Sequence, residues 1–169
     1  MIKSIFAVSI LLAVIGALFY AMDFGEEIIV VSHNNTEKKP VEITLDKVKC
    51  SECGSLIKAL ANSSQVVLSN GTTYFFDDLG CMLLWLNKQK DRDTITIWVY
   101  TEDTEQYILA QNAYYSRLAL SPIGYGFGAY EIRLYGSASY NFEEVELFAL
   151  RGETLLNPMI LQLLIENKI

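Results

Sequence analysis

The chain opens on an uncharged apolar run over residues 5–22, in which Ser9 is the only clearly polar side chain. That length approaches the ~20 apolar residues a helix needs to cross a hydrocarbon core. Lys3 precedes the run, and Asp23, Glu26 and Glu27 follow it. The positive-inside tendency then keeps the N-terminus cytoplasmic and exports the remainder. The run has no Ala-x-Ala ending, which favours an uncleaved membrane anchor over a cleaved signal peptide. Residues 28–31 are briefly apolar and could begin a strand. Residues 33–40 read as a polar linker closed by Pro40.

Beyond Pro40 the pattern changes to short alternating segments. Residues 41–45 alternate apolar and polar, as a half-buried strand does. One or two helical turns are expected within 55–62. Residues 65–68 and 72–76 read as strands around Asn70-Gly71, a strong hairpin signal. Leu79, Met82, Leu83 and Leu86 recur at helical spacing, with Asp77 or Asp78 placed as N-cap. Residues 95–100 are β-branched and aromatic, a strand pattern. Residues 107–115 start as a strand and turn helical near 110–114. Gly124, Gly126 and Gly128 space a loop that enters another strand. A new segment begins at 142–150, and 157–167 read as a terminal amphipathic helix with Pro158 in its first turn. The expected class is α+β: a small mixed domain of β-hairpins with short helices, preceded by one N-terminal transmembrane helix. The expected divisions are 1–22 anchor or signal, 23–40 linker and 41–169 exported domain.

Composition narrows the function. The chain is 51% hydrophobic and 20% charged, which is a foldable balance. A formal net charge of -7 argues against nucleic acid as a partner, because phosphate binding needs a basic surface. No Gly-x-Ser-x-Gly, P-loop or HExxH motif is present, and no enzymatic activity is expected.

The candidate chemistry lies in the 3 cysteines. An odd number cannot be closed entirely by internal disulfides. Cys50 and Cys53 form a CxxC at the end of the 41–45 strand, and either a disulfide or a metal suits such a pair. Cys81 falls in the first turn of the expected helix, where the dipole favours a thiolate. Met82 follows it, turned away by ~100° in helical geometry; it is either core or a further sulfur ligand. Three thiols without a dependable nitrogen ligand favour a soft, low-coordinate ion, Cu(I) before zinc. The 1 histidine, His33, is in the linker. A tether could carry it to the site, and Met159 is another weak candidate. Asp77 and Asp78 read as a helix cap rather than an acid/base pair. An exported thiol-disulfide protein and a structural zinc protein are the alternatives.

Four blocks in order carry a resemblance. They are Cys50-x-x-Cys53-Gly54, Asn70-Gly71-x-x-x-x-Phe76-Asp77-Asp78-x-Gly80-Cys81-Met82, Ala110-x-x-Ala113-Tyr114-Tyr115, and Ser121-Pro122-Ile123-Gly124-Tyr125-Gly126-x-x-Ala129. Together they resemble the nitrous-oxide reductase accessory protein family, NosL, over residues 47–130. The resemblance implies a ββα-type fold similar to part of the organomercurial lyases. It also implies an outward-facing Cu(I) chaperone, bound to the membrane, that supplies the assembly machinery of a copper enzyme. The metal ligands expected from the residues are Cys50, Cys53 and Cys81, with Met82 as a candidate fourth. Ser55 and Ile123 stand where the family commonly has methionine, and an apolar helix replaces its usual lipid-anchor cysteine.

Overall fold

The computed structural model describes residues 2–22, 28–90, 92–133 and 139–169. Helix α1 spans Ile2–Met22. Its described side chains, at 8–18 and 20, are all exposed. Among the described residues no helix is long and apolar enough to cross a membrane. The stretch 8–18 by itself falls short of the ~20 residues required, and the other side chains of the expected anchor lie outside the described residues. So do residues 23–27, the start of the expected linker.

From residue 28 the expected linker is part of the folded domain. Ile29 exchanges backbone hydrogen bonds with Lys47 and Lys49 at 2.8 Å each. Strand β1, Val31–Ser32, then pairs antiparallel with β3, Thr73–Phe76. Further on, the Trp98 indole donates to the Lys38 carbonyl at 2.9 Å. The expected strand start at 28–31 leads into the β1 edge. The polar residues after it are not a solvated tether: Asn35 N donates to Gly71 O at 2.9 Å, and the Lys38 carbonyl accepts the Trp98 indole.

The hairpin signal corresponds to β2, Ser64–Val67, paired with β3 in the register Val67↔Thr73 and Ser64↔Phe76. Gly71 takes φ +80, and a Cβ there would lie 3.1 Å from the Asn35 backbone. Glycine therefore meets both a dihedral and a space requirement. Helix α2, Leu79–Asn87, follows β3, capped by Asp78, whose carboxylate accepts from Gly80 N at 2.8 Å. Strand β4, Thr96–Tyr100, pairs with β2 and with β5, Tyr107–Leu109. The resulting antiparallel sheet has the order β1-β3-β2-β4-β5. A 3-10 turn, Ala110–Asn112, leads to β6, Tyr114–Ser116, which pairs with β7, Gly128–Tyr130. Helices α3, Phe142–Leu150, and α4, Pro158–Ile165, close the chain, each with an asparagine N-cap. The domain is a small mixed α+β fold of antiparallel sheets and short helices.

Two expected elements are absent. Residues 41–45 form no strand. Instead the buried Gln65 side chain holds Val41, accepting from its N–H at 2.8 Å and donating to its carbonyl at 2.7 Å. A side-chain amide thus replaces the ladder that alternation alone would predict. Residues 55–62 form no helix, because Leu56 bridges Lys49 and Ile57 N donates to Val48 O at 2.8 Å.

The sheet separates two apolar clusters. Phe76, Val66 and Val99 pack with α2, α3 and Tyr115 in the larger one. Phe75, its side chain on the opposite face of β3, meets Ile43, Val48 and Ile57 in the smaller one. This alternation follows from the two-residue period of a strand. It also brings the end of β3, the start of α2 and the 48–57 segment to one place.

A candidate metal centre

The CxxC occupies the turn of a narrow hairpin. Cys50 N donates to Ser55 O at 2.8 Å, and Gly54 N returns to Cys50 O at 3.0 Å. Gly54 has φ +77 with open space around its absent side chain, so the backbone angle is what requires glycine. The turn is pinned at Ser51. Its N–H donates to Phe75 O at 2.7 Å, and its hydroxyl donates to Val30 O at 3.3 Å and accepts from Phe75 N at 3.2 Å. The hairpin is thereby held against β3.

Beyond β3 the two aspartates diverge. Asp78 caps α2 and also accepts from Ile123 N at 3.0 Å, which fastens the 121–126 loop over the helix start. Asp77, buried at 3% exposure, turns to the hairpin, where the Cys53 thiol donates to its carboxylate at 3.5 Å. Cys81 lies in the first turn of α2 and is buried, as is Cys50, while Cys53 is exposed. One donor atom from each of Cys50, Cys53, Asp77 and Cys81 lies within 4.8 Å of the others. These residues could bind a metal ion.

The thiols are electrostatically unequal. The Cys81 thiol donates to Cys50 and, against the effect of burial, lowers the Cys50 pKa from an ordinary 9.0 to about 7. The same hydrogen bond, then burial, pushes Cys81 up, so it holds its proton while Cys50 loses one. Burial raises Cys53. Tyr125 lies against the helix start: a Cβ on Gly80 would come within 2.1 Å of its ring. Burial, the largest cause, raises the Tyr125 phenol, and the nearby Asp78 carboxylate adds to it.

The three expected thiols therefore converge. Met82, the next residue of α2, is fully buried and packs in the larger core cluster. His33 is near Thr72, 3.5 Å from its hydroxyl, at the far end of β3 from Asp77. Five extended residues separate those ends by ~17 Å. Met159 is 70% exposed on α4. Asp77 is the donor that sequence reasoning missed. Its signal was the doublet itself: one aspartate suffices as N-cap, which leaves its neighbour free to face elsewhere.

An open cleft of about 410 Å³ adjoins the cluster, with Ser55, Ala59, Pro122 and Ile123 among its walls. Asp77 is the one member of the cluster that lines it. Comparison with known proteins found no match: no protein family, curated protein or solved structure is significantly similar to this chain.

Proposed function

We propose that the protein is an extracytoplasmic Cu(I)-binding chaperone, held at the membrane by residues 1–22, that delivers copper for maturation of a copper enzyme. The observation that carries this reading is the convergence of Cys50, Cys53 and Cys81. Thiolates favour Cu(I) and zinc over the harder first-row ions, and a low-coordinate thiolate site without a nitrogen ligand suits Cu(I). The Cys50 thiol titrates near neutrality, so one thiolate is available without a large cost in proton release. Three sulfurs, buried Cys50 and Cys81 with exposed Cys53, would hold the ion in a low-coordinate site that can still take a ligand from an acceptor. Delivery requires only exchange of ligands, and no catalysis.

The motif resemblance to the NosL family supports the same reading. Ser55 and Ile123, the two positions where that family commonly carries methionine, both line the cleft beside Asp77. Nitrous-oxide reductase, or another copper enzyme with its assembly machinery, is the client this resemblance suggests. The apolar composition of α1 supports membrane anchoring.

Replacing Cys50 and Cys53 together by serine is expected to abolish Cu(I) binding measured in competition with a colorimetric chelator. Tight binding by that double variant would sink the ligand assignment. Asp77 favours a second reading, because three thiolates and a carboxylate are a donor set that a structural zinc site can use. Elemental analysis of protein purified anaerobically from copper-replete cells separates the two: copper supports the chaperone, and stoichiometric zinc supports the structural site.

A further inference from the structure

We propose that the cleft beside Asp77 is the entrance through which an external sulfur donor reaches the bound ion and takes the coordination place of Asp77. This inference rests on the Cu(I) reading. Cys50 and Cys81 are 2% and 1% exposed, so neither is open to an incoming ligand, and the exposed Cys53 is a thiolate that a soft ion holds more firmly than a carboxylate. Only Asp77 connects the four-residue cluster to the cleft. A carboxylate is also the hardest donor of the four, and the one a soft ion gives up first. The cleft has room for a side chain or a small thiol, being about 410 Å³ in volume.

Its walls suit a sulfur chain. Ala59, Pro122 and Ile123 are apolar, Ser55 offers only a hydroxyl, and Lys58 supplies a positive charge that favours a thiolate or an acidic acceptor. In the exchange, the metal–oxygen bond to Asp77 breaks as a metal–sulfur bond forms. A thioether or thiolate enters with no proton or electron moving, a neutral thiol releases its proton to solvent as its sulfur binds, and the freed carboxylate retains its charge. Transfer continues when the thiolates of this chain leave in turn.

The test uses the full chain, loaded anaerobically with Cu(I) in detergent. Transfer is followed by stopped-flow loss of copper–thiolate absorption, to glutathione in one arm and to a methionine-rich synthetic peptide in the other. Ala59 is exposed and is not a donor, so Ala59→Trp is expected to fill the cleft and load copper normally. Its transfer should slow by about tenfold, the effect of ~1.4 kcal/mol on a barrier. Slowing in both arms identifies a route shared by small thiols and polypeptides; slowing in the peptide arm alone assigns it to polypeptide acceptors. An unchanged rate in both arms means that exchange passes over Cys53 and overturns the inference. Asp77→Ala is the second variant: it should keep copper on three thiolates and transfer faster, and an unchanged or slower rate with copper loaded also overturns the inference. Failure of the unaltered protein to load copper would instead overturn the chaperone reading.

Discussion

Cys50 shows how little a residue type says without its surroundings. In an unfolded chain its thiol titrates near 9.0, whereas in the fold the Cys81 hydrogen bond brings it to about 7. A folded pKa below the unfolded one means that the native state stabilises the thiolate. That stabilisation is complete above about pH 9 and is lost as pH falls through about 7. The thiolate absorbance of the reduced, metal-free protein is therefore expected to rise through a step near pH 7 that is missing from Cys50→Ser. A first step only at the ordinary thiol pKa would refute the Cys81–Cys50 hydrogen bond. Cys81, pushed in the opposite direction, contributes no thiolate in that window.

At the scale of elements, the start of α2 is the junction on which the site depends. Asp78 satisfies Gly80 N within its helix and Ile123 N across the fold. The 121–126 loop consequently sits on the helix, and Tyr125 takes the space a side chain on residue 80 would need. Gly80→Ala is expected to destabilise the domain by about 1–3 kcal/mol through overpacking, measured by urea unfolding. Because the clash is with one ring, adding Tyr125→Ala should recover part of that loss. Strict additivity of the two changes would show that the ring is not what opposes the new methyl.

At the scale of the whole molecule, the polar segment before Pro40 belongs to the domain. Removing it deletes the Ile29 bonds to Lys47 and Lys49, the β1–β3 pairing and the Trp98–Lys38 bond. At about 1 kcal/mol net per hydrogen bond, the sum is a large part of the ~5–15 kcal/mol that holds a domain together. A chain beginning at residue 28 is expected to unfold cooperatively in urea, and one beginning at residue 41 is expected to lose much of that stability. Equal midpoints would show that 28–40 are dispensable. The same segment also reaches the site, since Val30 O accepts the Ser51 hydroxyl in the CxxC turn.

Much of this architecture was legible in the sequence. The β2–β3 hairpin, α2 with its aspartate cap and α4 with Pro158 are set by local chemistry: a turn dipeptide, a capping side chain, a fixed proline φ. The three cysteines were recognisable as one candidate site from residue type and odd number. What sequence could not supply was anything decided by a distant partner. Residues 41–45 alternate like a strand, yet the Gln65 amide takes their hydrogen bonds. Residues 33–40 are polar like a tether, yet the Gly71 turn and the Trp98 indole claim their backbone. Asp77 and Asp78 are equivalent as letters. Which one caps and which one faces the thiols follows from the direction in which β3 delivers the chain to α2, and only the tertiary structure sets that direction.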